Sequence, residues 1–245
     1  FPTRLSSDLG FDTTDAGTFS PAVAIGNTNS GANAIGLTKF GTGTLLLSVA
    51  NTYSGPTTID GGDLTVNGAG TLGTGGIITF GGGTLQYGSI TSGTDYSSRI
   101  HDSSGAVSID TNGATVTYAS AIDSSNMGGF TKLGLGTLTF AGANTYVGLT
   151  TVSAGELDLD SGSGPSIGGD LTSSNSSTVK ILQSNQIDSA ANLIITTQGT
   201  LNVQSYNQSF ASVNVNDGTI EGAGTITDAG TYQFDMTGTG DADLY

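Results

Sequence analysis

Apolar and polar positions alternate along most of the chain. In "GELDLD", Leu157 and Leu159 fall on one side while Glu156, Asp158 and Asp160 fall on the other. In "GTLTF", Thr139 separates Leu138 from Phe140, and in "GDLTV", Thr65 separates Leu64 from Val66. A period of two, rich in Thr, Val, Ile and aromatic residues, predicts strands. Gly-Gly, Asn-Gly and Ser-Gly pairs flank these runs and supply turns that need positive φ. No segment carries a 3.6-residue apolar stripe. The chain reads as all-β.

A longer period lies over the alternation. Aliphatic markers at Leu45, Leu64, Leu85, Val107, Leu138, Leu157, Val179, Leu201 and Ile220 are separated by 19, 21, 22, 31, 19, 22, 22 and 19 residues. The one long gap contains a further match, "GATVTY", around Val116. A firmer repeat sits at an offset of 93: Gly36–Leu64 and Gly129–Leu157 are identical at 16 of 29 positions. Short strands, a period of ~20 residues and glycine at the corners predict a parallel β-helix. Each rung would lay its strands over those of the preceding one, with inward aliphatics stacked into a column. At ~4.8 Å between paired strands, roughly eleven rungs would form a rod about 50 Å long. An antiparallel sandwich is the competing architecture, but it does not by itself demand repeated segments or so steady a spacing.

The order of residues within the 93-residue repeat resembles the autotransporter-associated β-strand repeat of bacterial surface proteins. That pattern runs Thr-Lys, Gly-x-Gly-Thr-Leu, a short apolar strand, Asn-x-Tyr-x-Gly, Thr-Thr-Val and Gly-x-Leu. Lys39, Gly43, Leu45, Asn51, Tyr53 and Gly55 fit it, and so do Lys132, Gly136, Leu138, Asn144, Tyr146 and Gly148. The segments "SSRIHDSSGAVSIDTNGATVTYASAI" and "GTLNVQSYNQSFASVNVNDGTIEGAGTI" resemble stretches that precede and follow such repeats, so the resemblance covers most of residues 36–228. It implies a right-handed parallel β-helix from the passenger of a secreted or outer-surface protein. It does not imply one activity, because the repeat is scaffold.

Composition narrows the partners. Twenty acids against 5 bases give a net charge of −15, and the bases Arg4, Lys39, Arg99, Lys132 and Lys180 form no cluster. Nucleic acid and anionic membranes need a positive footprint, so neither is an expected partner. The acidity serves solubility, with weak cation binding by loop carboxylates as the sharper alternative. Forty glycines, 4 prolines and an apolar share of 35% suit an elongated shape with a thin axial core. The absence of cysteine excludes disulfides, thiolate zinc sites and a cysteine nucleophile. No apolar run is long enough for a membrane-spanning helix.

Several residues invite a chemical reading. The repeated Asn51 and Asn144 are expected to satisfy turn backbone groups as in Asx-turns. Tyr53 and Tyr146 are expected to cover the corners with their hydroxyls wet. Lys39 and Lys132, at equivalent positions, are expected to share a local role such as a turn contact. On a strand, Arg99 and the sole histidine, His101, would share a face opposite Asp102, an arrangement that suggests acid–base chemistry. The acids in "DLDSGSG" and "IDTNG" stand at strand exits and turns, and tryptophan, a favoured sugar platform, is absent. "FGGGTLQYG" lacks the Lys-Ser/Thr of a phosphate loop, and neither "GSGPSIGGD" nor "GTGDADLY" sustains a calcium repeat. No catalytic, cofactor-binding or metal residue is nominated, and no cofactor is expected.

The sequence therefore predicts a non-enzymatic stalk or adhesin-like segment at the bacterial outer surface or outside the cell. Its ligand would be a host-surface, matrix or neighbouring-cell component, and its parent protein membrane-anchored or exported. A carbohydrate-active β-helix, a polysaccharide lyase or glycosidase, is the rival reading. Residues 1–9 match a translated sequencing adapter except at Leu5 and are set aside as an assembly artefact. Residues 10–245 are expected to form one β-helix fragment, with repeat copies near 36–64 and 129–157.

Overall fold

A computed structural model of the chain describes residues 8–14, 17–88, 93–230, 232–235 and 243–244. Every ladder between its strands is parallel, which rules out the antiparallel sandwich. No α-helix occurs among the described residues. Two 3₁₀ turns, Asn29–Gly31 and Ser97–Arg99, are the only helical pieces there. The chain winds as a β-solenoid whose coils stack along one axis.

One sheet runs the length of the solenoid. Its eleven strands start at Thr18–Phe19, pass through Thr44–Leu47, Asp63–Val66, Thr84–Tyr87, Val107–Asp110 and Phe130–Leu133, and end at Tyr232–Asp235. Paired residues lie 19 positions apart at Thr44↔Asp63 and 26 apart at Thr18↔Thr44. A four-stranded sheet flanks it at the N-terminal end, from Asp8–Asp12 to Ile78–Phe80. A seven-stranded sheet flanks it at the other end, from Thr115–Tyr118 to Asp243–Leu244. Asp8 and Leu9, from the stretch read as an artefact, lie in the first of these strands and pair with Gly36 and Leu37. Residues 1–7 fall outside the described residues.

Alternation builds the core directly. On the seven-stranded sheet, Val116, Leu138, Leu157, Val179, Leu201 and Ile220 stand in register and are buried. On the long sheet, Leu45, Leu64, Leu85 and Ile109 form the matching column. Burying such side chains contributes roughly 1.5–3 kcal/mol each. A single coil has no second wall, so only stacking seals the column. Arch glycines make the stacking close. Gly155 has φ +65°, and a Cβ there would sit 2.5 Å from the Gly136 carbonyl oxygen one coil below.

The two sequence copies do not lie over one another. In the first, Gly36–Phe40 belongs to the four-stranded sheet and Thr44–Leu47 to the long one. In the second, Phe130–Leu133 belongs to the long sheet and Thr137–Phe140 to the seven-stranded one. From Thr44 the register climbs through Asp63, Thr84 and Ser108 to Thr131, four coils in all. The offset of 93 residues is thus four coils plus one face of the solenoid. The long marker gap has the same origin: Val107 is a marker on the long sheet, and Leu138 is one on the next face.

The irregular flank changes side with this shift. Below it, the flank runs through Ile25, Asn51–Tyr53 and Leu72, where Thr52 N donates to Ile25 O and Thr74 N to Tyr53 O. Above it, the irregular side continues from the four-stranded sheet. Ile100 bridges Ile78, Met127 N donates to Ser103 O, and Ile167 bridges Ile187.

Candidate functional site

The repeat residues are consumed by coil-to-coil bonding. Lys39 and Lys132 point inward at strand ends, in register with core residues such as Ile59 and Val152, and both are fully buried. Lys39 Nζ donates to the carbonyls of Phe40 (3.1 Å), Gly41 (2.8 Å) and, one coil above, Gly61 (2.7 Å). Lys132 Nζ repeats this with Leu133 (2.9 Å), Gly134 (2.8 Å) and Ala154 (3.1 Å). The expected turn contact is present, and it also clips two coils together. Burial pulls the Lys132 pKa down to about 8, so the three-donor ammonium still prevails at neutral pH.

The asparagines work between coils rather than within their own turn. Asn51 Oδ1 accepts from Ile25 N at 2.7 Å, and its Nδ2 donates to Thr71 O at 2.6 Å. Asn144 does the same with Ile122 N and Ser166 O. The Asx-turn expectation is therefore corrected: a buried primary amide offers a donor and an acceptor in opposite directions, which suits a position sandwiched between coils. Asn126 and Gln208 bridge coils similarly, without a recurring motif to announce them.

Tyr53 and Tyr146 also depart from expectation. Both are fully buried, and their hydroxyls bond Thr57 Oγ1 (2.9 Å) and Thr150 Oγ1 (2.8 Å) rather than water. The Thr-Thr of the repeat places that partner four residues on, at the first inward position of the next strand. Burial raises both phenol pKa values, which keeps them neutral.

The histidine segment does not assemble a reactive site. Arg99 closes the Ser97–Arg99 3₁₀ turn instead of lying on a strand, and its guanidinium donates to Gly75 O and Gly76 O of the coil below. Asp102 occupies a left-handed turn at φ +56°. Ser97 and Ser103, which flank Arg99 and His101, are fully buried. His101 Nδ1 instead meets Asp123 at 2.9 Å, a half-exposed pair. Asp123 is held below the usual carboxylate range mainly by the Ser125 hydroxyl, with His101 a smaller contributor. Nothing in the sequence marked Asp123, 22 residues away.

Of the acids in "DLDSGSG", Asp158 lies on an outward ladder of the seven-stranded sheet rather than at a strand exit, and Asp160 follows the strand's end. Asp158 stands between Thr139 and Lys180 in register, and Glu156 shares its face. Partial burial and the neighbouring Glu156 push Asp158 up to about 6. Two carboxylates side by side on a flat sheet do not form the opposed pair that glycoside hydrolysis needs. Among the described residues, no group of three or more His, Asp or Glu stands close enough to hold a metal ion. No helix there is long and apolar enough to cross a membrane.

The family model described as passenger-associated-transport-repeat matches residues 37–66 and 130–159. These are the two strand–arch–strand units built around Lys39 and Lys132. Two stretches of the chain thus match this passenger repeat. Over 162 residues it is 35% identical to the adhesin BmaC autotransporter of Brucella suis biovar 1 (strain 1330). That alignment covers 61% of this chain and 5% of the relative, so the chain corresponds to a small part of that protein's length. No solved structure matches the chain. In both copies the shared Lys, Asn, Tyr and first Thr of Thr-Thr have structural work to do: each satisfies backbone or hydroxyl groups that stacking buries.

Proposed function

We propose that this chain is a non-enzymatic rod segment of an adhesin-like passenger, exposed at the bacterial surface or outside the cell. The observation that carries the reading is the long sheet, an uninterrupted face whose outward row runs Thr44, Asp63, Thr84, Ser108, Thr131, Thr151 and Thr172. Such a face has the regularity of a spacer. The lysine, asparagine and tyrosine side chains that chemistry would use are tied into coil stacking. The name of the Brucella relative adds support for attachment as the parent's role, with a host-surface, matrix or neighbouring-cell component as ligand.

The test pairs two measurements on the full chain. Incubated with neutral and uronate polysaccharides, it should release neither new reducing ends nor unsaturated products. Beads coated with it should be held by host cells or matrix proteins, or act as inert spacers when an adhesive tip is fused to them. Polysaccharide turnover that is lost in His101→Ala or Asp158→Asn would overturn the non-enzymatic reading.

A further inference from the structure

We infer that Asn67 is a site of spontaneous, backbone-assisted deamidation. The chain has two Asn-Gly pairs, Asn67–Gly68 and Asn112–Gly113. In such a pair, the backbone nitrogen of the glycine loses its proton to hydroxide and attacks Cγ of the asparagine. The new C–N bond closes a succinimide as the side-chain nitrogen leaves as ammonia. Water then adds to either ring carbonyl, and reopening leaves aspartate or isoaspartate. Glycine permits this because no side chain shields its nitrogen.

The fold treats the two pairs differently. At Asn112, φ is +46°, Nδ2 donates to Tyr87 O at 3.1 Å, and the backbone N–H donates to Asp110 Oδ1 at 2.8 Å. The would-be nucleophile, Gly113 N–H, is bound to Leu135 O. At Asn67, only the backbone N–H is tied down, to Leu47 O at 2.9 Å. No hydrogen bond holds Gly68 N–H, and Asn67 Oδ1 is buried without a partner. A buried oxygen without a partner is costly, and no side-chain hydrogen bond anchors Asn67 against reaction.

The product would disturb the stack. Gly88, one coil above, lies so close that a Cβ on it would sit 2.5 Å from Asn67 Oδ1. An isoaspartyl linkage adds a methylene to the main chain at this corner, and either product puts a charge where the amide oxygen already lies buried without a partner. The Gly88 N to Val66 O bond of 2.7 Å is the contact that must yield.

Peptide mapping by mass spectrometry after mildly alkaline incubation of the full folded chain tests the assignment. Breaking one hydrogen bond of ordinary net strength handicaps Asn112 roughly tenfold, so Asn67 should convert about ten times faster. In denaturant the two rates should converge. Asn67→Gln, which would need a larger ring, should remove the signal at that peptide. Equal rates in the folded chain, or faster conversion at Asn112, would overturn the inference, as would an Asn67 that reacts only after unfolding.

Discussion

Replacing Lys132 by methionine isolates the coil clip. The methionine keeps most of the stem that lies between Ile109 and Val152 in the core column, so little cavity opens. What disappears is the ammonium and its three donated bonds. Leu133 O keeps a partner, because Thr111 N donates to it at 3.1 Å. Gly134 O and Ala154 O do not. Two stranded acceptors cost about 2–6 kcal/mol, and relief from holding a buried charge offsets part of this. A net loss of about 2–4 kcal/mol follows, or a fall of roughly 5–15 °C in Tm for a chain of this size. Circular dichroism melts and urea titrations measure the loss, and hydrogen exchange should place it at the arch around Gly134 and Ala154. A pH series supplies the signature. With a folded pKa of about 8 against an ordinary 10.5, the unfolded chain holds more protons between those values. Stability of the native sequence should therefore rise with pH across that window, until the buried tyrosines, whose pKa burial raises, oppose it above about pH 10. Lys132→Met should flatten its share of the rise. An unchanged Tm together with an unchanged pH slope would refute the clip.

Four further outcomes follow from the same stacking. Leu138→Asp puts a carboxylate in the column between Val116 and Leu157 and should cost about 3–5 kcal/mol or melt that region outright; native-like exchange protection there would contradict the inward assignment. Asp158 has a raised folded pKa, so it binds more protons in the native state and makes stability fall as pH rises through about 4 to 6. Asp158→Asn should abolish that fall and stabilise the rod by about 0.5 kcal/mol at neutral pH, since like charges on one strand face repel weakly. His101→Ala removes a half-exposed hydrogen bond to Asp123 and should shift stability by no more than about 0.5 kcal/mol; a far larger loss would mean the contact has a role beyond the surface. Deleting residues 150–170 joins Leu149 to Leu171, which already sits over Thr150, and should shorten the rod by ~4.8 Å with parallel β structure retained; collapse of the far-ultraviolet spectrum would count against nearest-neighbour stacking.

The coil architecture was legible because it is written twice: once in the period-two alternation around Leu64, Leu138 and Leu157, and once in the 93-residue repeat. The roles of Lys39, Asn51 and Tyr53 were legible only in kind. Each was read as serving its own turn, since sequence shows neighbours along the chain and not across coils. Their partners, Gly61, Thr71 and Ile25, lie 20 to 26 residues away. Tyr53 differs in that its partner, Thr57, is near in sequence, and what was missed there is burial. Arg99 and His101 misled for a related reason: alternation in "SSRIH" mimics a strand, while the backbone takes a 3₁₀ turn so that Arg99 can reach the coil beneath it.

The one-face offset between the copies bears on how a rod of this kind could present a ligand surface. Had the repeat length been a whole number of coils, corresponding corners would stack into one stripe, and a ligand could read that stripe along the axis. Instead, Ser54 and Val147 occupy equivalent repeat positions but emerge from different sides of the solenoid. The residues free to vary at those positions are the outward ones, Ser54 against Val147 and Pro56 against Leu149, while Asn, Tyr and the first Thr of each Thr-Thr stay fixed inside. Val147 and Leu149, with Met127 one coil below, leave an exposed apolar corner in the second copy that the first copy does not reproduce. The shared sequence thus specifies how coils join, and the surface each copy shows is set separately by its position around the axis.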